Sequence, residues 1–246
     1  MATDFDDLGA TFPLFAAAVE EAAEYVGLGT CSLTGEADVP CFRLGMGCAL
    51  MLECPECHAI NGLDCDERED EVCHECADLV RFPGDMPEEI IVCYRALRDF
   101  RAAISKDTEY GMITWEQVQT GLTHGVPGGS GLRHSERVPL VEIGEDWVGA
   151  RLDPRVMREL LTTPTYISWQ GERWLFDGGT PGVYQGCWTQ ADFKQHAGTQ
   201  EPQSFFEQVI ESKERWMWKA LEGGRISVYV FRMPSSGNLR AHWDMD

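Results

Sequence analysis

The sequence predicts an α+β protein in which a zinc-knuckle module precedes a C-terminal part of mixed helices and antiparallel strands. Two Cys-x-x-Cys pairs lie within residues 54–76, and short helical patterns alternate with short apolar runs along the chain. Near the end, the turn SSGN separates two apolar runs, which is typical of a hairpin. Strands joined by short turns favour antiparallel pairing, and the helices between them indicate the mixed class.

The charge of the chain narrows the classes of partner. Among 246 residues, 41 acidic residues face 20 basic ones, which gives a net charge of −21. Nucleic-acid binding and binding to anionic membranes depend on lysine and arginine, so we expect neither partner. A basic protein partner and a merely solvated acidic surface both remain open.

The beginning of the chain and the distribution of apolar residues indicate a cytoplasmic protein. Residues 1–7, MATDFDD, have neither the basic start nor the apolar run of a signal peptide. We find no run of about 18 apolar residues that predicts a membrane span. In the cytoplasm, the ten cysteines are expected to be metal ligands and buried thiols rather than disulfides.

Three parts are predicted along the chain. Residues 1–53 form an extension with a helix over 12–25 and a hairpin within 31–53. Residues 54–125 contain the zinc knuckle, a helix over 85–105 and a helix over 114–122. After a glycine-rich loop at 124–135, residues 136–246 contain strands over 138–152, a helix from Asp153 to 162, a strand over 166–176, a helix over 203–222 and a closing hairpin.

The cysteine pairs have the spacing of a structural zinc site. Cys54 and Cys57 form the first pair, and Cys73 and Cys76 form the second pair after 15 further residues. Two such turns complete a tetrahedron of four thiolates, which leaves no open position for catalysis. We therefore predict structural Zn²⁺ here. Three further cysteines, at positions 31, 41 and 48, could donate to a second site or be buried thiols.

The loop between the two pairs is strongly acidic. It fits either a purely structural knuckle or a surface that is offered to a basic protein. As candidate contacts for a protein partner we name Asp64, Asp66, Glu67, Glu69, Asp70 and Glu71.

The sequence contains none of the nucleophile, metalloprotease or nucleotide-binding motifs that would indicate an enzyme. His124 and His134 bracket the glycine-rich loop. They are a conceivable catalytic pair, and two histidines exposed on a loop are the simpler interpretation. We therefore predict that the protein is not an enzyme.

Residues 163–186, TPTYISWQGERWLFDGGTPGVYQG, resemble a segment of the CbrC family of bacterial proteins. In that family, Thr-Pro-x-Tyr-x-x-Trp-Gln is followed by Trp-Leu and a glycine-rich stretch. Residues 229–246, YVFRMPSSGNLRAHWDMD, resemble the family's closing hairpin, and the cysteine pairs are similar to its knuckle. The resemblance covers about residues 54–80 and 153–246.

The chain departs from the family pattern at one group of positions. The resemblance implies a second group of four cysteines, and Gly178, Gly182, Met233 and Ser236 stand in their places. The loss of all four together is what removal of a whole metal site would produce. The final hairpin would then be held by packing alone, with Tyr229, Phe231, Leu239 and Trp243 as candidates.

The resemblance implies a protective role, because the family is associated with tolerance to colicins and its relatives look like immunity proteins. The expectation is a cytoplasmic immunity protein that binds a cognate toxin with a basic surface and occludes its active site through an acidic surface. Two alternatives stay open: an enzyme with a site around His124 and His134, and a zinc-ribbon regulatory protein.

Overall fold

A computed structural model of the chain describes residues 2–53, 60–64, 89–127, 138–211 and 216–245. These residues form fourteen strands and six α-helices. The helices are α1 Tyr94–Arg98, α2 Trp115–Thr120, α3 Pro154–Leu161, α4 Gln190–His196, α5 Pro202–Val209 and α6 Met217–Glu222. The strands are β1 Tyr25–Gly29, β2 Val39–Leu44, β3 Cys48–Glu53, β4 Ile60–Asp64, β5 Ile90–Cys93, β6 Ala102–Ile104, β7 Val126–Pro127, β8 Leu140–Gly144, β9 Trp147–Ala150, β10 Phe176–Asp177, β11 Thr180–Pro181, β12 Val183–Cys187, β13 Ile226–Arg232 and β14 Leu239–Met245.

The described strands form small antiparallel sheets, which agrees with the predicted α+β class. The strand orders are β1-β2-β5, β4-β3-β6, β7-β9-β8, β10-β11 and β12-β13-β14. One large hydrophobic cluster runs from Phe5 to Met233 and therefore includes residues from the N-terminal, middle and C-terminal parts of the chain. The predicted boundaries between these parts stay predictions.

The prediction of a helix over residues 12–25 is wrong. The segment holds a short 3₁₀ turn, Val19–Glu21, and leads into β1. Its backbone donors reach distant carbonyls, with Ala16 N–H bonded to Tyr184 and Ala23 N–H bonded to Thr165. Aromatic packing fixes this extended course, because the rings of Phe12 and Phe15 lie 5.1 and 5.6 Å from the ring of Phe5. Packing of this kind overrides the helical propensity of an alanine-rich segment.

The helix predicted over 85–105 is also wrong where the structure describes it, from residue 89 onward. Residues Ile90–Cys93 pair with β2 as strand β5, and the helix that follows lasts only from Tyr94 to Arg98. Phe100 has a φ of 56°, a left-handed conformation that turns the chain into β6. The hairpin predicted within 31–53 is also wrong, because its two strands belong to different sheets. Strand β2 pairs with β1 and β5, whereas β3 pairs with β4 and β6.

Elements with strong local signals are confirmed. Helix α2 begins after Thr114, whose side chain forms a capping box with Gln117, and α3 begins with Pro154 after the capping side chain of Asp153. Strands β8 and β9 pair within the predicted range 138–152, and β13 and β14 form the predicted closing hairpin.

Two C-terminal predictions need correction. Within residues 166–175, Tyr166 and Trp174 form isolated bridges rather than a hairpin strand, and only Phe176–Asp177 of the predicted strand is paired as a strand. The helix predicted over 203–222 is two helices, α5 and α6, and Ile210 between them bridges to Ala241 of β14.

The closing hairpin separates two hydrophobic layers. On β13, Val228 and Val230 face a cluster formed with helices α4, α5 and α6, whereas Tyr229 and Phe231 face the main core. Successive strand residues point to opposite sides, so this alternation places each set on its own layer. Within the described residues, no helix is both long and apolar enough to span a membrane.

Candidate functional site

Strand β14 carries a row of buried polar side chains on one face. Arg240, His242 and Asp244 are 5%, 7% and 3% exposed, respectively. They are spaced by two residues, so they share the face of β14 that is opposite to Ala241. Burying such groups is costly unless each has a partner, and each of the three has one.

His242 is joined to the segment that precedes β10. The hydroxyl of Tyr166 lies 2.6 Å from Nε2 of His242, and the same hydroxyl accepts the backbone N–H of Arg173. Burial, together with the charge of Arg173, lowers the pKa of His242 to about 3. Burial also raises the pKa of Tyr166 well above its usual value. The tyrosine therefore keeps its proton, and the imidazole that it contacts is neutral near neutral pH.

Asp244 anchors the loop that contains the Trp-Gln motif. Its carboxylate accepts the backbone N–H groups of Trp169 and Gln170 at 2.9 and 3.2 Å. The hydroxyl of Tyr229 also donates to it, at 2.9 Å from Oδ2. The carboxylate thus accepts hydrogen bonds from two backbone N–H groups of the loop, and these bonds fix the position of the loop on the sheet.

Arg240 forms a buried ion network with two carboxylates. Its guanidinium group forms a bidentate pair with Glu109 at 3.0 and 3.1 Å, and its Nε lies 2.5 Å from Glu211. Phe176 adds its N–H to Glu109 and its carbonyl to Arg240. Burial raises the pKa of Glu109, with Arg240 acting in the opposite direction. The network joins β14, the end of α5 and the segment before α2.

A cleft of about 680 Å³ lies against His242 and Asp244 of the polar row. Charged and aromatic groups line it: Asp107, Glu172, Arg173, Glu211, Asp244, His124, His242, Trp147 and Trp243. Burial raises the pKa of Glu172 to about 8, although the charge of Lys106 and two N–H donors lower it. A carboxyl with a strongly perturbed pKa in a concave site is a candidate functional group.

Two tryptophans line this cleft, Trp147 and Trp243. Trp169 precedes the lining residue Gln170, and Trp216 contacts Trp243, so we call these four side chains the tryptophan rim. Trp147, Trp169 and Trp216 are 40%, 70% and 44% exposed. Trp243 is half-buried and meets Trp216 edge to face, with ring centroids 5.4 Å apart. Trp169 belongs to the loop that Asp244 holds. Exposed tryptophans next to a cleft are typical of binding surfaces.

Most of the sequence-predicted site lies outside the described residues. This applies to Cys54, Cys57, Cys73 and Cys76, to the acidic residues from position 66 to 71, and to His134. Asp64 ends strand β4. His124 lies on the wall of the cleft, with its ring 6.0 Å from that of Trp147. Cys31, Cys41 and Cys48 are buried, as one of the two interpretations expected.

The four positions that depart from the family pattern lie in two neighbouring turns. Gly178 lies in the turn between β10 and β11, and Gly182 directly follows β11. Met233 and Ser236 belong to the turn of the closing hairpin. A side chain at Gly182 would place its Cβ only 2.6 Å from Cε of Met233. The hydroxyl oxygen of Ser236 lies 3.4 Å from Oδ2 of Asp177. Across the described ranges, no group of three or more His, Cys, Asp or Glu residues could hold a metal ion.

The closing hairpin is not held by packing alone. Tyr229 and Phe231 are buried as predicted, and Leu239 and Trp243 pack against the second hydrophobic cluster. Hydrogen bonds and ion pairs of the polar row add to this packing. The pattern that could have revealed them is LRAHWDMD, in which arginine, histidine and aspartate alternate with apolar residues.

Comparisons with known proteins give one family-level result. Neither the search of curated proteins nor the search of solved structures returned a significant match. The model of an uncharacterised protein family, UPF0167, matches residues 137–245, which is less than half of the chain. The matched region contains the polar row, Tyr166 and Glu172, so these parts of the cleft are built from the segment that is similar to UPF0167.

Proposed function

We propose that the chain is a non-enzymatic, cytoplasmic immunity protein of the CbrC type, which binds a bacterial toxin and occludes its active site. The observation that carries this proposal is the acidic cleft with its tryptophan rim. Tryptophan is among the residues that most often dominate the free energy of protein binding. An acidic recess beside such anchors is complementary to a protein with a basic surface.

The net charge of −21 supports the same partner. A strongly negative protein is drawn to a basic surface over a distance of about a Debye length, which accelerates association at low salt. Fast association suits an inhibitor that must capture a toxin before the toxin acts. The acidic residues between positions 64 and 71 would extend this field, and Zn²⁺ held by Cys54, Cys57, Cys73 and Cys76 would stabilise the segment structurally.

The test uses the product of the gene adjacent to this one, co-expressed with the protein and assayed for toxicity. We expect the wild type to protect cells, and Trp169→Ala to lose protection and bind the purified toxin at least about tenfold more weakly. The matched control is Leu28→Ala, because Leu28 is 60% exposed on β1 and does not line the cleft. Equal protection by both variants, or affinity independent of salt, would contradict the proposed surface.

An enzyme remains the second candidate function, because Glu172 has a raised pKa and His124 lines the same cleft. For an enzyme, Glu172→Gln and His124→Ala should abolish the effect of the protein in cells while leaving toxin binding intact. For an immunity protein, protection should follow the affinity for the toxin in every variant. A zinc-ribbon regulator would instead shift nucleic acid in a gel at low salt, which the charge argues against.

A further inference from the structure

The cleft contains more negative than positive charge. Four acidic side chains line it, from Asp107, Glu172, Glu211 and Asp244, against the single guanidinium of Arg173. Even with Glu172 protonated and Glu211 paired with Arg240, the carboxylates of Asp107 and Asp244 leave an excess of negative charge. His242 adds no positive charge near neutral pH because its pKa is lowered to about 3. Concave walls concentrate this negative potential, so the recess favours a cationic group over an anion.

Glu172 retains hydrogen-bonding capacity that the protein does not fill. Its two carboxylate oxygens accept one N–H each, from Asp107 at 3.1 Å and from Trp174 Nε1 at 2.7 Å. A carboxylate can accept about four hydrogen bonds. The buried ammonium group of Lys106 directs its bonds to the carbonyls of Ile104 and residue 105 and to Thr165. The remaining acceptor positions of Glu172 are therefore available to a donor that enters the cleft.

The walls of the cleft are aromatic as well as acidic. Trp147 and Trp243 both line it, from β9 and β14. The face of an indole ring attracts a cation, and planar guanidinium groups stack on it more readily than ammonium groups do. A volume of about 680 Å³ is ample for one long side chain.

We propose that the cleft receives an arginine side chain of the protein partner, with its guanidinium group on Glu172 and Asp107 and against the indole of Trp147 or Trp243. This inference rests on the proposed function, because it names the side chain that the partner inserts. Arginine fits better than lysine because its planar fork of N–H donors matches a carboxylate and is less strongly hydrated.

Binding in this cleft is coupled to proton release. With a pKa of about 8, Glu172 is largely protonated at neutral pH in the free protein. An incoming guanidinium stabilises the ionised carboxylate, so the proton leaves and affinity rises with pH up to about 8. The charged and titratable groups that face this carboxyl from neighbouring elements are Glu24, Lys106, Asp107, Arg173, His124, His242 and Asp244. Comparing the wild type with Glu172→Gln isolates the contribution of the Glu172 carboxyl.

The experiment titrates the full-length protein with argininamide and follows tryptophan fluorescence together with chemical shifts of indole N–H groups. The matched probe is citrulline amide, which has the same shape and the same α-amino group but a neutral urea in place of the guanidinium. We expect saturable binding of argininamide and none of citrulline amide. Glu172→Gln should weaken binding by about tenfold at pH 8 and flatten its rise between pH 6 and 8. Asp107→Asn should weaken it less, because Asp107 is exposed.

The control Glu20→Gln removes an exposed carboxylate that does not line the cleft, and should bind as the wild type does. Equal binding of both probes, or unchanged binding by Glu172→Gln and Asp107→Asn, would overturn the inference. If argininamide binds but the toxin is not neutralised, the proposed function fails and the cleft assignment stands. If the toxin is neutralised equally by wild type and Glu172→Gln at every pH, the cleft assignment alone fails.

Discussion

The hydroxyl of Tyr166 lies 2.6 Å from Nε2 of His242, although the two residues are 76 positions apart in the chain. The contact joins the Trp-Gln segment to the last strand inside the main core, where both side chains are almost fully buried. Because the hydroxyl also accepts the N–H of Arg173, one oxygen satisfies polar groups on two elements. The floor of the cleft depends on this pairing.

Replacing Tyr166 with phenylalanine should lower the free energy of unfolding by about 1–3 kcal/mol, because two buried polar groups lose their partner. Urea denaturation monitored by tryptophan fluorescence measures the change. Tyr94→Phe is the control, since Tyr94 is only half-buried, and should change stability by less than about 0.5 kcal/mol. Similar values for both variants would mean that the Tyr166 hydroxyl contributes no net stabilisation.

The stability of the protein should decrease as the pH falls from about 6.5 towards 3, partly because of His242. The pKa of this histidine is depressed to about 3 in the folded protein, so the unfolded chain binds the proton first. Protonation therefore favours unfolding, by at most about 1.4 kcal/mol for each pH unit in that window. His242→Gln retains an acceptor and does not titrate, so its unfolding free energy should vary less with pH.

Carboxylates also titrate in this range, and for that reason the measured quantity is the difference between wild type and His242→Gln at each pH. The groups around the imidazole are Arg173, Tyr166, Tyr229 and the backbone of Trp243. A difference that stays constant from pH 7 to pH 4 would show that the imidazole is not held neutral.

Replacing Arg240 with alanine should cost about 3–5 kcal/mol, because Glu109 and Glu211 would be left as buried charges without their common partner. Thermal unfolding measures the loss. The matched control is Arg43→Ala, which removes a surface ion pair with Glu89 whose side chains are more than half exposed. That change should stay below about 1 kcal/mol. A comparable cost at both sites would argue against a buried network.

The predicted zinc knuckle is tested by elemental analysis of the purified protein. We expect one zinc ion per chain, and its loss in Cys57→Ser and in Cys76→Ser. Cys187→Ser is the control, because Cys187 is exposed and lies far along the chain from the two pairs. Strong chelators should lower the melting temperature of the wild type but not of the Cys57→Ser variant. Metal-free wild-type protein would contradict the prediction.

The fold was predictable where the signal is local. Helix α2 begins at a cap formed by Thr114 and Gln117, and helix α3 begins at Asp153 and Pro154. The SSGN turn indicates the closing hairpin. The fold was not predictable where contacts with residues far away in the chain determine the local conformation. The alanine-rich segment before Tyr25 and the apolar residues Ile90–Cys93 both look helical by spacing, and both are drawn into extended pairing with remote strands.

The candidate site, too, was predictable only in its local pattern and not in its long-range contacts. The alternation in LRAHWDMD indicates that Arg240, His242 and Asp244 share one face, but not that this face is buried. The burial of these three side chains depends on contacts with Tyr166, Glu109 and Tyr229, which belong to other parts of the chain. Glu172 is one of many acidic residues in the sequence, and only its surroundings in the folded chain distinguish it.

The bond between Asp244 and the backbone of Trp169 has a consequence for the order of events during synthesis. A ribosome releases the Trp169 loop dozens of residues before it releases the strand that fastens it, so a nascent chain presents this tryptophan without its anchor. The surface that we assign to recognition is therefore completed only after β14 has been synthesised. A nascent chain that still lacks β14 therefore also lacks the contact that holds Trp169 in place.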